Sequence, residues 1–208
     1  MDFFTSSNVL VYLAAYLIGA IPFGLILAKV FAGVDIKKEG SKSIGATNVL
    51  RVVKQTNPTL AKKLGIATLA LDALKGIAVL AVAMMMDYSQ SVLWGAALLS
   101  VVGHCYSPYL NFEGGKGVAT GVGVVAVMLP IEAGIGLLVW FFMAKVFKIS
   151  SLASLSGLLS AVIASYFIHP GLESVNSQIP LLLIAFLIFY KHIPNILRLV
   201  KGEEKAVV

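Results

Sequence analysis

Seven apolar runs follow one another along this chain with only short polar segments between them. About 20 consecutive apolar residues are needed to cross the ~30 Å hydrocarbon core of a bilayer. Of the 208 residues, 59% are hydrophobic and only 12% are charged, which is about half the charged share of an average soluble domain. The chain is therefore predicted to be an all-α integral membrane protein, one transmembrane domain over residues 1–208. Its seven predicted transmembrane helices are 9–31, 64–86, 92–106, 118–129, 131–147, 152–168 and 179–190. The fourth and seventh runs are short, so six or five spans are the alternatives.

Basic residues cluster in alternate gaps between these spans. Those gaps contain Lys37, Lys38, Lys42, Arg51, Lys54, Lys62 and Lys63, then Lys116, Lys145, Lys148 and the tail from Lys191 onward. The opposite gaps contain Asp2, Asp87, Glu132, His169 and Glu173 and no basic residue. Because cytoplasmic loops are enriched in Lys and Arg, the pattern predicts an N-terminus outside and a C-terminus in the cytoplasm.

The net charge of +6 has a membrane explanation, since the basic residues flank apolar spans and face anionic headgroups. Nucleic acid is therefore not expected as a partner. The single Cys105 excludes an internal disulfide. No His, Cys and carboxylate group has metal-ligand spacing, so neither a metal nor an organic cofactor is predicted.

The segment 40–51, GSKSIGATNVLR, is the first of three unusual segments in the basic gaps. Small polar residues and glycines precede Arg51, whose guanidinium can bind an oxyanion bidentately. An anion-binding loop is one interpretation. The other is that Thr47 or Asn48 caps a short amphipathic helix, and the residues alone do not decide between them.

The second segment, 103–121, is GHCYSPYLNFEGGKGVATG. Gly114, Gly115 and Gly117 surround Lys116 where the fourth span begins, so backbone N–H groups, the helix dipole and an ammonium group can converge on a phosphate. The spacing is not that of a P-loop. A flexible turn with a positive-inside lysine is the alternative, and His104 could be an ordinary helix-end histidine.

The third segment, KHIPNILRLVKGEE, follows the last span. His192, Asn195 and Arg198 recur every three residues, so a helix would place them along one face toward one ligand. A surface-lying amphipathic tail is the alternative. Within the second span, Asp72 and Lys75 lie one turn apart, and charges at that depth are predicted to pair with each other and to support the site.

These motifs together resemble the PlsY-type acyl-phosphate:glycerol-3-phosphate acyltransferase family of bacteria. The resemblance extends over nearly the whole chain, through YLIGAIPFG, GATNVLR, LDALKG, FEGGKGVAT and HIPNILRL with the trailing Gly202 and Glu204. Two positions depart from the family pattern near its first motif, where Lys42 replaces a glycine and Ser43 an asparagine. In addition, Pro108 comes one residue late and Glu113 replaces a basic residue.

The resemblance implies transfer of a fatty acyl group from acyl phosphate to the 1-hydroxyl of glycerol 3-phosphate, giving lysophosphatidic acid and phosphate. It also implies a bacterial inner-membrane enzyme of phospholipid biosynthesis with a cytoplasmic active site. The residues expected to bind substrate are Ser41, Thr47, Asn48, Arg51, Gly114, Gly115, Lys116, Gly117 and Arg198.

Catalytic roles are expected for His104, His192 and Asn195. Asn195 and N–H groups of the Gly114 loop are predicted to stabilise the oxyanion, and a histidine or a substrate phosphate to accept the hydroxyl proton. Direct attack without an acyl-enzyme is expected, because no Ser–His–Asp set is apparent and the donor is already activated. A carrier for an organic phosphate is the competing class, although its site is expected near the bilayer midplane.

Overall fold

The chain folds into a bundle of helices. The computed structural model describes residues 7–206, without the side chains of Glu173 and Ser174; the predicted outside position of Asp2 lies beyond these residues. The helices are α1 Ser7–Gly19, α2 Phe23–Ala32, α3 Ala46–Val53, α4 Pro58–Met85, α5 Gln90–Cys105, α6 Val118–Met128, α7 Pro130–Phe147, α8 Ser150–Ile168, α9 Ile179–Lys191 and α10 Ile193–Val200. A 3₁₀ turn, Pro108–Leu110, and a π-helical turn, Leu172–Asn176, lie between them.

Every predicted apolar run is helical, but not every helix has the length of a span. The segments Ser7–Ala32, Pro58–Met85, Pro130–Phe147 and Ser150–Ile168 are long and apolar enough to cross a membrane, and α9 with α10, bent by 59°, could form a fifth. By contrast, α5 has 16 residues and α6 has 11. At 1.5 Å per residue, α6 is only about 16 Å long. The fold is thus an all-α membrane architecture with four or five spans by length.

Pro22 breaks the first apolar run, because proline lacks the N–H that continues a helix. Helix α1 ends at Gly19 and α2 begins at Phe23. The carbonyl oxygens exposed by the break are satisfied by other segments: Ser107 Oγ donates to Ala20 at 2.7 Å and Lys75 Nζ donates to Ile21 at 2.9 Å. The break thereby connects the first apolar run to α4 and to the loop after α5.

The short helix α3 confirms the amphipathic helix of the first segment. Val49, Val52 and Val53 are buried in a cluster that includes residues of α2 and α4. The predicted cap is wrong, because the N-cap residue is Gly45 and not Thr47 or Asn48. Asn48 instead lies within the helix and holds the preceding loop.

The polar loops collect at two opposite ends of the bundle. At one end Lys37 contacts Glu113 at 3.1 Å, which connects the loop before α3 to the loop before α6. Thr47 likewise lies 3.0 Å from Ser150 at the start of α8. At the other end Glu132 at the start of α7 contacts His169 after α8 at 2.5 Å. The gaps that carry Lys and Arg therefore contact one another at one end of the bundle. Glu132 and His169, which come from gaps without Lys or Arg, contact each other at the far end.

Close helix contact depends on the absence of a side chain at Gly123, where a Cβ atom would lie 2.3 Å from the Ala73 carbonyl oxygen of α4. Helix α6 therefore lies directly on α4. This contact holds the loop that precedes α6 near the centre of the bundle.

Candidate active site

One cavity of about 900 Å³ opens among the basic loops and continues between the helices. Its polar part is lined by Ser41, Thr47, Asn48, Arg51, Lys116, His192, Asn195, Arg198 and Glu204, and its apolar part includes Leu69, Val122, Val125, Leu158, Leu181 and Ile184. Apart from the Glu204 carboxylate, the first group offers cations and neutral polar side chains, and the second offers only apolar surface. The cavity thus suits a ligand with an anionic head and a hydrocarbon tail.

Asn48 organises the first segment. Its Nδ2 donates to the carbonyl oxygens of Ile36 at 2.9 Å and Ser43 at 2.8 Å, and its Oδ1 accepts the Ser41 N–H at 2.8 Å. Both Nδ2 hydrogens are therefore used within the loop. Direct substrate binding by this amide, as the sequence predicts, conflicts with these contacts; Asn48 instead fixes the position of Ser41.

Lys116 lies two residues before α6, and Gly117 is the N-cap of that helix with a positive φ of 85°. Two of the neighbouring amides, those of Gly114 and Gly115, already have backbone partners. The Gly114 N–H donates to the Cys105 carbonyl at 3.1 Å and the Gly115 N–H to the His104 carbonyl at 2.9 Å. Because both groups extend the end of α5, they are not free to stabilise an oxyanion.

The third segment places His192, Asn195 and Arg198 on the cavity wall, as predicted. Asn195 Oδ1 accepts from Lys116 Nζ at 2.6 Å, so the second and third segments meet directly. His192 is buried, and its Nδ1–H donates to the Ile188 carbonyl at 2.8 Å. Its Nε2 is therefore the ring nitrogen left for a ligand.

Glu204 is the site residue to which the sequence assigned no role. It accepts from Asn195 Nδ2 at 2.5 Å, Arg198 Nε at 2.6 Å and Ser151 Oγ at 2.8 Å. The carboxylate thus joins α10 and the C-terminal tail to the start of α8. Its only signal in the sequence is its place at the end of the family motif.

Asp72 and Lys75 form the predicted ion pair, with 2.7 Å between Oδ1 and Nζ. Both side chains are buried, which is expected of charges within a helical bundle in a membrane. His104 joins them, since its Nδ1 lies 2.9 Å from Lys75 Nζ. Asp72 and His104 line the cavity, whereas Lys75, Gly114 and Gly115 are not among its lining residues.

Electrostatics at the mouth of the cavity favour an anionic ligand. Burial and, to a smaller extent, the charges of Arg198 and Arg51 together lower the pKa of Lys116 to about 8, while the charge of Glu204 acts to raise it. Partial burial acts to raise the pKa of Glu204, but hydrogen bonds from Asn195, Arg198 and Ser151 hold it below its usual value. A bound phosphate would relieve the repulsion among the three cations.

Comparison with known proteins agrees with this architecture. The family model described as glycerol-3-phosphate acyltransferase matches residues 9–202. The glycerol-3-phosphate acyltransferase of Aliarcobacter butzleri is 65% identical over 208 residues, which is 100% of both chains. That of Sulfurimonas denitrificans is 60% identical over 208 residues, again 100% of both chains.

Two crystal structures share the fold. The glycerol 3-phosphate form of PlsY, an integral membrane glycerol 3-phosphate acyltransferase, has a TM-score of 0.85 at 35% identity and covers 97% of this chain and 96% of its own. The lysophosphatidic acid form has a TM-score of 0.82 at 36% identity, covering 97% and 95%. The chain therefore belongs to the glycerol-3-phosphate acyltransferase family.

Proposed function

We propose that this protein transfers a fatty acyl group from acyl phosphate to the 1-hydroxyl of glycerol 3-phosphate. The observation that carries the proposal is that one cavity combines the cations Arg51, Lys116 and Arg198 with an apolar limb between the helices. Both substrates are phosphorylated, and only one has a hydrocarbon tail. The PlsY crystal forms with glycerol 3-phosphate and with lysophosphatidic acid support the acceptor and product classes for this chain.

The substrates divide the cavity between them. Arg51 and Ser41 bind one phosphate and Lys116 the other, because a fixed guanidinium and an ammonium group suit phosphate oxygens. The acyl chain lies in the apolar limb, beside Val122, Leu158 and other residues of α6 and α8. This arrangement keeps the hydrocarbon out of water while the mixed anhydride stays at the polar mouth.

The reaction is a direct attack of the 1-hydroxyl oxygen on the acyl carbonyl carbon. A C–O bond to glycerol forms, the bond between that carbon and the phosphate oxygen breaks, and phosphate leaves with the electron pair. His192 Nε2 or a substrate phosphate accepts the hydroxyl proton. Asn195 retains one Nδ2 hydrogen after its bond to Glu204, and that hydrogen stabilises the developing oxyanion.

Seven membrane crossings, with the N-terminus outside and the C-terminus in the cytoplasm, account for the grouping of the loops. With seven crossings, successive loops lie alternately at the basic end, where Lys37 contacts Glu113, and at the far end, where Glu132 contacts His169. The short helix α6, which lies on α4, is the fourth of these crossings. The proposed location is the bacterial inner membrane, with the cavity open to the cytoplasm.

Phosphate release from purified protein in detergent tests the proposal. With glycerol 3-phosphate and acyl phosphate, one phosphate should appear for each lysophosphatidic acid formed, and Lys116→Ala should reduce the rate by about 100-fold or more. Esterification from an acyl thioester but not from acyl phosphate would overturn the donor assignment. Uptake of glycerol 3-phosphate into vesicles without esterification would indicate a carrier.

Labelled acyl phosphate without the acceptor tests the direct attack. No stable labelled protein should accumulate, because the proposal includes no covalent intermediate. Isolation of an acylated peptide that transfers its label to added glycerol 3-phosphate would contradict the direct mechanism while leaving the overall reaction intact.

A further inference from the structure

The apolar limb of the cavity has a definite depth. Its lining residues on α8 begin at Ser150, which lies 3.0 Å from Thr47 at the polar mouth, and end at Ala161. At 1.5 Å per residue, the limb is therefore about 16 Å deep. This depth is about half of the ~30 Å hydrocarbon core of a bilayer, and half of the core is the thickness that the acyl chains of one leaflet fill.

The exposure of the wall decreases with depth. Ile66, in the first third of α4, lines the limb and is 70% exposed. The deepest lining residues come from three different helices, and all are buried: Ala133 of α7 and Ala161 of α8 are 7% exposed, and Leu181 of α9 is 1% exposed. The limb therefore borders the bilayer near its mouth and is enclosed by protein at its deep end.

A layer of buried polar side chains lies next to this deep end. Each of the three deepest lining residues has a buried polar neighbour on its own segment: Glu132 beside Ala133, Ser165 one turn after Ala161, and Gln178 just before Leu181. His169 Nδ1 lies 2.5 Å from Glu132 Oε1, and the His169 carbonyl oxygen accepts from Gln178 Nε2 at 2.5 Å. Ser165 Oγ donates to Gln178 Oε1 at 3.3 Å. These four residues are not among the lining residues of the cavity, and a hydrocarbon chain could pass them only by breaking their bonds.

A closed end makes binding depend on chain length. Each methylene that enters the limb strengthens binding by about fourfold. Once the terminal methyl group reaches the deepest lining residues, a further methylene has to displace packed side chains, which costs free energy. The gain with chain length therefore ends at the depth of the limb.

We propose that Ala133, Ala161 and Leu181 form a floor that sets the longest acyl chain the protein accepts. The polar layer of Glu132, Ser165, His169 and Gln178 supports this floor from behind. The identity of the ligand as an acyl donor rests on the proposed function, and the floor adds the residues that select its chain length.

The chain-length profile of the wild-type protein is the first test. We expect kcat/KM to rise from dodecanoyl phosphate to hexadecanoyl phosphate and to fall by about tenfold or more for icosanoyl phosphate, with each donor at the same mole fraction in detergent micelles. A value for icosanoyl phosphate equal to or above that for hexadecanoyl phosphate would overturn the floor. Transfer from none of the donors would instead contradict the proposed function.

Substitutions in the floor should change the profile in opposite directions. Ala161→Leu fills the deep end, so the ratio of kcat/KM for hexadecanoyl phosphate to that for dodecanoyl phosphate should fall by about tenfold or more. Leu181→Ala deepens the limb and should raise the ratio for icosanoyl to hexadecanoyl phosphate by about fourfold or more. Ala164→Leu is the matched control, because it makes the same change on α8 at a residue that does not line the cavity.

The same ratios in wild type and Ala161→Leu would contradict the floor. If Ala161→Leu does not fold, an unchanged ratio in Leu181→Ala would contradict it as well.

Alkyl phosphates test the floor without acyl transfer, because they carry a phosphate and one chain but no reactive carbonyl group. At equal mole fraction, hexadecyl phosphate should raise the unfolding temperature of the wild-type protein more than dodecyl phosphate does, since the tighter ligand stabilises more. Ala161→Leu should abolish this difference, and Ala164→Leu should retain it. An equal difference in wild type and Ala161→Leu would overturn the floor whether or not the protein transfers acyl groups.

Discussion

At the scale of single residues, the charge of Lys116 governs the affinity of the cavity for phosphate. Because its pKa is lowered to about 8, the free protein loses this charge as the pH rises through that value. We expect kcat/KM for glycerol 3-phosphate to fall above about pH 8, since kcat/KM reports the free enzyme. In Lys116→Arg the falling limb should move to higher pH, because arginine stays charged. An identical alkaline limb in wild type and Lys116→Arg would remove Lys116 from this role.

Lys42 has a strained backbone where the family pattern has glycine. Its φ is +58°, a conformation that costs a residue with a side chain about 1–2 kcal/mol. We expect Lys42→Gly to raise the free energy of unfolding by about 0.5–1 kcal/mol, since glycine also adds unfolded-state entropy. Thermal unfolding in detergent measures the change. Lys38→Gly is the matched control in the same loop, and it should lower the free energy of unfolding. A lower free energy of unfolding in both variants would contradict the argument.

Glu204 holds the tail against the cavity. Glu204→Gln turns an accepting oxygen into a donor that faces Arg198. We expect the free energy of unfolding to fall by about 1.5–3 kcal/mol, the range for hydrogen bonds to charged groups. Because the folded-state pKa of Glu204 is depressed, its stabilisation is present above the usual glutamate pKa and is lost as the pH falls through the lowered value. Wild type and variant should therefore converge in stability in acid. Glu203→Gln, at an exposed neighbour, is the control.

The sequence predicted which residues line the site better than it predicted what each of them does there. Arg51, Lys116, His192, Asn195 and Arg198 line one cavity, because cations and amides beside apolar spans have few other uses there. Hydrogen-bond partners were not predictable, since they depend on distant segments. The Gly114 and Gly115 amides and the Asn48 side chain looked free in the sequence, but backbone carbonyl groups take them.

At the scale of elements, the break at Pro22 depends on partners from other helices. Ser107→Ala would leave the Ala20 carbonyl oxygen without its 2.7 Å donor in a buried position, at a cost of about 1–3 kcal/mol. We expect a lower unfolding temperature for this variant. Ser160→Ala is the matched control, because Ser160 Oγ donates only within its own helix, to Gly157 at 2.8 Å. Equal stability of Ser107→Ala and Ser160→Ala would show that the break needs no donor from Ser107.

The helices themselves follow from apolar length, and all seven predicted runs are helical. The break between the fourth and fifth runs is also as predicted to within one residue, since α6 ends at Met128 and α7 begins at Pro130. What the apolar pattern could not give is a helix start that depends on contacts with another segment. The N-cap of α3 is Gly45, because the Asn48 side chain bonds instead to the loop before the helix.

At the scale of the whole molecule, segments between 53 and 103 residues apart in the sequence form one polar end. Thr47 meets Ser150, Lys116 meets Asn195 and Ser151 meets Glu204. The positive-inside pattern predicts this grouping because it places every basic gap on one side. The contacts within the group depend on the lateral order of the helices, which hydropathy does not encode.

Labelling with a membrane-impermeant maleimide tests most directly whether the three motif segments share the cytoplasmic side. In a Cys105→Ala background, single cysteines would replace the exposed residues Lys54, Tyr109 and Lys201 of the basic end and Ser89 of the far end. We predict that Ser89→Cys is labelled in intact spheroplasts, and that the other three are labelled only after the membrane is permeabilised. Labelling of Lys54→Cys, Tyr109→Cys or Lys201→Cys from outside would contradict a single cytoplasmic site.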